Sequence, residues 1–310
     1  MSRVLLTGAS GFIGRHCLAL LAAHGHEVHA VAHRKPAGKD FAQALWHPMD
    51  LLEPGGPAGL VQRTNPDLVL HLAWYAVPGK YWNAPENQDW VRASLELVGA
   101  CAARPATRLV SAGSCAEYGL TAGECSEEST PLSPSAPYPV SKGKLGARVL
   151  EISRQSGLSA AWARIFFLYG PHEDPTRPVA FVVRALLQGE PAPCSEGKQL
   201  LDYLHVEDVA SALVTVLESE IQGAVNVGSG VPATLRKVFE TIGEQLGRSE
   251  LLQFGARPGP VPPYRLWANT RRLNQELGWA PRFNLASGIE NTIEWWRRSA
   301  QIPASLPRER

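Results

Sequence analysis

The sequence of 310 residues predicts an α/β fold: a doubly wound parallel sheet with a smaller C-terminal part. Two observations support this prediction. Short apolar runs alternate with longer helical stretches through the first half of the chain, and a glycine-rich turn joins the first run to the first helical stretch. Alternation of this kind is typical of parallel strands connected by helices that cross over the sheet.

The strand-like runs of the first half are short and rich in apolar residues. The expected parallel strands are residues 4–7, 27–32, 68–72, 109–112 and 160–167. After about residue 170 the chain becomes richer in proline and glycine, which break up short helices. We therefore place a domain boundary there and divide the chain into residues 1–170 and 171–310.

The turn after the first strand has the spacing G-x-x-G-x-x-G, beginning at position 8. Gly8 permits the tight turn, Gly11 lets the backbone approach a pyrophosphate, and Gly14 allows close packing of helix on strand. The helix N-terminus adds free N–H groups and the positive end of its dipole. The turn predicts a Rossmann-type nucleotide site formed by Gly8, Ser10, Gly11, Phe12, Ile13, Gly14 and Arg15.

Tyr138 and Lys142 lie four residues apart in a segment that is predicted to begin a helix, so their side chains share one face. A free tyrosine has a pKa of about 10, and a neighbouring cation lowers that pKa because it favours the phenolate. Such a tyrosine can pass a proton to or from an alcohol or sugar oxygen. The alternative is that the two residues form an exposed helix pair without a catalytic role.

Composition limits the expected partners. The 30 basic and 29 acidic side chains nearly cancel, so nucleic acid and membrane surfaces are not expected. No apolar run approaches the length of a membrane span, and the chain opens on a strand where a signal peptide would have an apolar core; we expect a cytoplasmic protein. The five cysteines show no C-x-x-C spacing and the histidines lack ligand spacing, so neither a disulfide framework nor a metal site is predicted.

With its motifs taken in order, the chain resembles the extended short-chain dehydrogenase/reductase family, in particular its nucleotide-sugar-modifying, NAD-dependent epimerase/dehydratase type. The matching segments are residues 7–14, 50–51, 71–73, 111–119, 138–142, 164–171, 202–209, 226–230, 277–281 and 293–296. The resemblance implies an oxidoreductase in which residues 1–170 bind the cofactor and carry the catalytic site. It also implies that residues 171–310 mainly bind substrate and interleave with the first part, and that two helices, near residues 90–98 and 138, commonly form a homodimer.

The resemblance also implies roles for individual residues. Ser114, four residues before Tyr118, would be the third catalytic member beside Tyr138 and Lys142, and Ser111 is the competing serine. Tyr138 and Lys142 would also contact the nicotinamide ribose. The remaining cofactor contacts would come from Asp50, Leu51, Leu72 and Ala73.

The end of the second expected strand indicates which nicotinamide cofactor is used. An acidic side chain there would accept hydrogen bonds from the ribose 2′-OH, but this chain has His33-Arg34-Lys35. A guanidinium pairs with phosphate through two hydrogen bonds and Lys35 adds positive charge, so the pattern favours NADP(H), with NAD(H) as the alternative. Arg15 could reach the same phosphate. These cations could instead be solvated surface residues.

Reactions within the family differ in the residues that follow the catalytic serine. Dehydratases carry acidic residues directly after it, where this chain has Cys115 and Ala116; Glu117 comes one position too late and is expected to face the other way. The 3,5-epimerase/4-reductases have a cysteine at the position of Ala116. We expect NADPH-dependent reduction of a keto group on a nucleotide-linked 4-keto-6-deoxyhexose, with an NAD-dependent 4-epimerase as the alternative. A non-catalytic NADP(H)-binding sensor is a third hypothesis.

The substrate contacts are indicated by fewer motifs. Leu201 stands where many nucleotide-sugar enzymes have an arginine, and Trp90 replaces the usual helix asparagine. Arg257 is the candidate diphosphate clamp, with a surface role as the alternative. The aromatic loop of residues 74–82 is expected to line the sugar or base pocket, with Tyr75 as its candidate contact, while Ser114 would polarise the substrate carbonyl.

Overall fold

The computed structural model describes residues 1–33, 36–38, 41–104 and 106–301. The strands are β1 (Arg3–Thr7), β2 (Glu27–Ala32), β3 (Leu45–Pro48), β4 (Leu68–His71), β5 (Arg108–Ser114), β6 (Gly123–Cys125), β7 (Ser159–Ile165), β8 (Phe167–Tyr169), β9 (Ala192–Pro193), β10 (Leu200–His205), β11 (Gly223–Val227), β12 (Pro232–Thr234), β13 (Leu252–Gln253) and β14 (Arg265–Ala268). The α-helices are α1 (Gly14–Ala23), α2 (Gly56–Thr64), α3 (Glu86–Ala102), α4 (Pro137–Ser156), α5 (Pro178–Gln188), α6 (Val206–Glu218), α7 (Leu235–Leu246) and α8 (Leu285–Gln301).

Seven parallel strands form the larger sheet, in the order β11-β7-β5-β4-β1-β2-β3. Thr7 at the end of β1 is aligned with Val31 of β2 and His71 of β4. The strand order reverses between β1 and β4, and ligands bind at the carboxyl ends of the strands beside such a reversal. The predicted α/β fold with a doubly wound parallel sheet is confirmed, and all five predicted strands belong to this sheet.

Strand β1 shows how the larger sheet is covered on both faces. Val4 and Leu6 belong to the apolar cluster that includes Leu18 of α1 and the buried face of α6. Leu5, between them, belongs to a second cluster with Leu97 of α3 and residues of α2 and α4. Because successive side chains of a strand point to opposite faces, a strand covered by helices on both sides is apolar at every position. Burial of each such side chain stabilises the fold by about 1.5–3 kcal/mol.

A smaller sheet has the order β12-β10-β14-β6, with β8 also paired to β10. Helices α5, α7 and α8 enclose an apolar cluster beside it, which includes Val183, Phe239 and Ile289. The chain contributes to the two layers out of sequence order, since β6 joins the smaller sheet whereas β11 joins the larger one. The domain boundary at residue 170 stays a prediction. Among the described residues, no helix has the length and apolar character to cross a membrane.

Candidate active site

A cavity of about 980 Å³ opens at the carboxyl ends of the strands of the larger sheet. Its lining includes the glycine turn between β1 and α1, the end of β5, the start of α4 and residues of the smaller layer. The structure therefore brings the predicted cofactor turn and the predicted catalytic residues into one cavity.

The glycine turn is shaped by two positions where a side chain would not fit. Gly8 has a φ of +71°, and a Cβ there would lie 2.9 Å from the backbone nitrogen of Ala73. A Cβ on Gly14 would lie 2.0 Å from the carbonyl oxygen of Gly8. The turn is closed by a 3.0 Å hydrogen bond from the N–H of Gly11 to that same oxygen. The compact turn leaves backbone exposed to the cavity at the N-terminus of α1, an arrangement that suits a pyrophosphate.

Most of the predicted cofactor contacts line the part of the cavity around the glycine turn, which is called the cofactor half below. The lining includes Gly8, Ser10, Gly11, Phe12, Ile13, Gly14, His33, Asp50, Leu51, Leu72 and Ala73. His33 is 76% exposed at its side chain, with Nε2 3.8 Å from Oδ1 of Asp50. Arg34 and Lys35, on which the NADP(H) prediction rests, lie outside the described residues.

Arg15 follows the glycine turn but is not among the residues that line the cavity. Its guanidinium hydrogen-bonds to Nδ1 of His172, donates to the carbonyl oxygen of Ser10 at 3.3 Å, and lies 5.4 Å from the centre of the Phe41 ring. A role toward the cofactor phosphate stays a prediction.

Tyr138 and Lys142 occupy successive turns at the start of α4, which begins with Pro137. The ammonium of Lys142 donates to the carbonyl oxygen of Ala112 at 2.9 Å and lies 3.7 Å from the centre of the Trp74 ring. Burial lowers the pKa of Lys142 to about 7, although the carboxylate of Glu117 opposes that shift. The amino group of Lys142 is therefore buried, with one carbonyl and one indole ring as its neighbours.

The pKa of Tyr138 is raised from its ordinary value, first by burial and then by the neighbouring phenol of Tyr81, while a hydrogen bond from Ser114 opposes the rise. This direction differs from the expectation that Lys142 would lower it. The physical reason is that burial favours the neutral phenol. Tyr138 is thus a protonated acid at neutral pH.

Ser114 ends β5 and lines the cavity, in contact with Tyr138. Its Oγ also accepts a 3.3 Å hydrogen bond from the N–H of Ala116 and so caps the short 3₁₀ helix Cys115–Tyr118. Ser111, the competing serine, is 1% exposed within β5 and does not line the cavity. Of the two serines, the structure brings Ser114 to the tyrosine.

Glu117 is fully buried behind the strand that carries Ser114, and it is not among the cavity-lining residues. Its carboxylate accepts from the N–H of Ser114 at 2.8 Å, from Nε1 of Trp162 at 3.1 Å and from Nε of Arg164 at 3.0 Å. It therefore faces away from the substrate, as its register indicated. Cys115, by contrast, lines the cavity, and burial raises the pKa of its thiol well above the ordinary value.

Three aromatic rings enclose Tyr138. Ring centres lie 4.9 Å away for Tyr81, 5.9 Å for Trp82 and 6.4 Å for Trp74. Asn87 orders this enclosure, since its side chain accepts from Nε1 of Trp74 and donates to the carbonyl oxygen of Tyr81, both at 2.8 Å. The aromatic loop does line the cavity, as expected, and the rings leave Tyr138 little open space on those sides.

Two of the three tentative substrate contacts lie outside the cavity lining. Tyr75 does not line it, although its neighbours Trp74 and Ala76 do, because adjacent residues of an extended segment point in opposite directions. Arg257 is exposed and stacks at 4.7 Å over the ring of Phe181. Neither Tyr75 nor Arg257 lines the cavity in this arrangement, and their substrate roles stay predictions; the third contact, Ser114, lines the cavity.

The part of the cavity lined by the aromatic loop, the start of α5 and β10 is called the substrate half below. Several polar side chains that line it carry no sequence motif. Arg177 lies directly before Pro178, the first residue of α5. Burial raises the pKa of the Tyr81 phenol, and the positive charge of Arg177 opposes that rise. Glu173 and Gln199 lie in the same half, together with Leu201 at the position where an arginine was expected. Arg177 carries no motif that would mark it as a cavity residue, since the following Pro178 indicates only that a helix begins there.

His71 is buried, and both of its ring nitrogens have hydrogen-bond partners. Nδ1 of His71 lies 2.7 Å from Oγ1 of Thr7 and Nε2 lies 2.8 Å from Oγ of Ser94, so His71 joins β1 and β4 to α3. Burial lowers its pKa to about 3, which keeps the ring neutral. Within the part of the chain that the structure describes, no group of three or more His, Cys, Asp or Glu side chains is arranged to hold a metal ion.

Comparison with known proteins agrees with this geometry. YtcB of Bacillus subtilis (strain 168), named an uncharacterized UDP-glucose epimerase, is 28% identical over 315 residues, which is 94% of this chain and 97% of YtcB. The UDP-glucose 4-epimerase of Mycolicibacterium smegmatis is 28% identical over 96% of this chain and 100% of its own. The structure of MoeE5 in complex with UDP-glucuronic acid and NAD superposes with a TM-score of 0.82 at 30% identity, over 96% of this chain and 99% of that chain.

A model of a protein family matches most of the chain. The model of the NAD dependent epimerase/dehydratase family matches residues 4–228, from β1 to the end of the larger sheet. That span includes the glycine turn, Ser114, Tyr138 and Lys142. The chain therefore belongs to the NAD dependent epimerase/dehydratase family.

Proposed function

We propose that this protein catalyses hydride transfer at a carbon of a nucleotide-linked sugar, in the direction of reducing a keto group. The observation that carries the proposal is the convergence of Ser114, Tyr138 and Lys142 on a cavity whose other half is formed by the glycine turn. Relatives and solved neighbours are named for nucleotide-sugar substrates, which supports this substrate class.

The protein side of the reaction follows from these groups. The hydroxyl of Ser114 donates toward the reacting oxygen and polarises the carbonyl. Tyr138, which burial keeps protonated, gives its proton to the oxygen as the carbonyl becomes an alcohol. Lys142, one turn further along α4, provides positive charge when it is protonated and is the group expected to contact the nicotinamide ribose. The nicotinamide cofactor, when bound against the glycine turn, supplies the hydride.

The surroundings of Tyr138 support reduction over epimerisation. Tyr138 is a neutral phenol that can donate a proton to the oxygen formed on reduction. An epimerase must let the keto sugar rotate in the site, so that its other face receives the hydride. Trp74, Tyr81 and Trp82 crowd Tyr138, which disfavours such a rotation. The absence of an acidic residue at positions 115 and 116 disfavours dehydration.

The second candidate is an NAD-dependent 4-epimerase. It is favoured by the epimerase names of the two relatives compared above and by the NAD in the solved neighbour. For the cofactor we propose a preference for NADP(H), supported by the charges of Arg34 and Lys35 in the sequence, with NAD(H) as the alternative.

The experiment is a parallel assay of NADPH and NADH consumption against nucleotide-linked 4-keto-6-deoxyhexoses, with products read by NMR. Stoichiometric NADPH oxidation to one 6-deoxyhexose product supports the reductase. Interconversion of unreduced sugar nucleotides with NAD, without net consumption, moves the assignment to the epimerase. A wild-type protein that binds NADP(H) but turns over no sugar in either assay is the sensor.

We also propose a homodimer formed through α3 and α4, and a cytoplasmic location. Helices α3 and α4 pack against each other on one face of the larger sheet, which places both at the same surface. Light scattering of the purified protein measures the oligomeric state, and a monomer at micromolar concentration contradicts the dimer.

A further inference from the structure

One wall of the substrate half, beside β10, is apolar, and the proposed mechanism uses none of its side chains. Its members are half-buried and line the cavity, so part of their surface faces the open space; they are called the apolar wall below and are Leu120, Phe167, Tyr203 and Tyr264. All four pack against a buried apolar cluster that contains Cys115, the residue that follows Ser114. Apart from the two tyrosine hydroxyls, these side chains carry no polar atom.

Paired strands hold the centre of the apolar wall. Tyr203 of β10 is aligned with Phe167 of β8, and the centres of the two rings lie 6.2 Å apart. Leu201, two residues before Tyr203, shares its face of β10, lines the cavity and is 4% exposed. It is aligned in turn with Leu266 of β14. Side chains on paired strands are held more precisely than side chains on loops, so the wall is formed before any substrate binds.

The apolar wall offers no partner to a negative charge. Lys142 and Arg177 are the only lysine and arginine among the described residues that line the cavity, and neither belongs to the wall. Leu201 stands where an arginine was expected, and the guanidinium of Arg257 stacks on Phe181 outside the cavity lining. Burying a charge without a partner is costly, whereas an apolar group is stabilised when it leaves water. The wall therefore suits an uncharged, apolar part of a substrate.

We propose that the protein also reduces uncharged ketones that carry an aromatic ring, with the ring bound on the apolar wall. This inference rests on the hydride transfer of the proposed function and adds a second class of carbonyl substrate to it. The carbonyl carbon gains a hydride from reduced nicotinamide, the oxygen gains the proton of Tyr138, and the C=O double bond becomes a C–O single bond. The ketone is thereby reduced to a secondary alcohol, the nicotinamide is oxidised, and solvent returns a proton to Tyr138. Aromatic rings favour edge or offset contacts with other rings, which Phe167 and Tyr203 provide.

The test measures kcat/KM for the reduction of phenylacetone, 4-phenyl-2-butanone and 5-phenyl-2-pentanone, with NADPH and with NADH. Each ketone is compared with the same ketone without its phenyl group, which leaves the reacting carbonyl unchanged. The three linkers place the ring at different distances from the carbonyl. We expect the best phenyl ketone to be reduced about 30- to 100-fold more efficiently than its unsubstituted partner, because the wall takes the ring out of water.

Two variants locate the ring on the wall. Leu120→Lys places a charge on the wall and Phe167→Ser removes one of its rings, and each should reduce the advantage of the phenyl ketone about tenfold. Neither should change cofactor affinity or kcat/KM for the unsubstituted ketone, which also shows that the variants are folded. Leu132→Lys is the matched control, because Leu132 is 42% exposed and lies outside the cavity lining, and it should keep the full advantage.

The outcomes separate this inference from the proposed function. If the phenyl group gives no advantage with any linker, or if both wall variants keep the advantage, the wall does not bind the ring and the inference is overturned. Reduction of a nucleotide-linked keto sugar without reduction of any phenyl ketone overturns this inference alone. Reduction of phenyl ketones without reduction of nucleotide-linked sugars supports it and overturns the proposed sugar substrate. If neither class is reduced with either cofactor, both are wrong.

Discussion

The two halves of the cavity are built in different ways. The cofactor half is centred on the backbone of one continuous turn, where a Cβ on Gly8 or Gly14 would collide with backbone atoms, and side chains such as Leu51 and Leu72 lie beside it. The substrate half is formed by side chains from separate segments, such as Tyr81, Glu173 and Gln199. A backbone site needs only that its positions stay small, whereas a side-chain site depends on which residues the fold brings together. The cofactor half therefore limits the size of its residues, and the substrate half limits their chemical type.

The strongest test of the comparison is at the border of the two halves. Tyr138→Phe should reduce turnover by about 10²- to 10⁴-fold, because the proton donor is removed, and should leave cofactor affinity nearly unchanged. Tyr75→Phe, on the aromatic loop but outside the cavity lining, is the control and should keep wild-type turnover. Steady-state kinetics and cofactor titration measure both. Full turnover by Tyr138→Phe would show that Tyr138 is not the proton donor.

Glu117→Gln tests the support behind the catalytic strand. The change leaves the buried Arg164 guanidinium without its anion, and breaking such a pair costs about 3–5 kcal/mol. Glu128→Gln breaks an exposed ion pair with Arg271, whose N···O distance is 2.7 Å, and should cost at most about 1 kcal/mol. Urea unfolding gives the free energy of unfolding of both variants. Equal losses would show that the ion pair of Glu117 with Arg164 does not stabilise the fold.

Gly14→Ala tests the backbone half directly. A methyl group placed 2.0 Å from the carbonyl oxygen of Gly8 must push the turn apart, with a loss of about 1–3 kcal/mol in stability and weaker cofactor binding. Gly99→Ala in α3 is the matched control, since a Cβ there meets nothing within 4 Å, and it should stabilise the protein by about 0.4–1 kcal/mol. Thermal unfolding and cofactor titration distinguish them. A tolerated Gly14→Ala would mean that the turn can relax.

The smallest expected effect lies in the substrate half. Arg177→Ala should raise the KM for a nucleotide sugar about tenfold, because a cavity-lining cation is lost, with a smaller change in kcat. Arg257→Ala, whose guanidinium stacks on Phe181 outside the cavity lining, should change KM by less than about twofold. Initial-rate kinetics decide between them. A larger effect at Arg257 would restore the clamp that its sequence context indicated.

The comparison also explains how much could be predicted from the sequence. The cofactor half was recognisable because its requirements are local: the spacing of Gly8, Gly11 and Gly14 between a strand and a helix is itself the geometry. Tyr138 and Lys142 were recognisable for the same reason, as they share a helix face. Strand β3 was missed because its four residues are half-buried or exposed at the sheet edge and end in Pro48, so they lack the apolar run of a central strand.

The residues of the substrate half could not be predicted from local sequence patterns, because they meet only through tertiary packing. Arg177 and Glu173 belong to a loop whose sequence has no ligand-binding pattern, and only the junction of β8 with α5 brings them to the cavity. Tyr75, the residue chosen from the aromatic loop, does not line the cavity, whereas its neighbour Trp74 does and lies 3.7 Å from the ammonium of Lys142. Burial likewise decided the direction of the Tyr138 pKa, and burial of one side chain is not visible in a motif.

The contact of Trp74 with Lys142 gives the protein an optical reporter at its own active site. The indole lies 3.7 Å from the ammonium that is expected to contact the nicotinamide ribose, so its fluorescence depends on what that ammonium binds. Reduced nicotinamide absorbs in the wavelength range where tryptophan emits, so it should quench this emission. The chain has nine tryptophans, and the difference between wild type and Trp74→Phe separates the signal of this one from the others. Cofactor arrival and departure can thus be timed without a label.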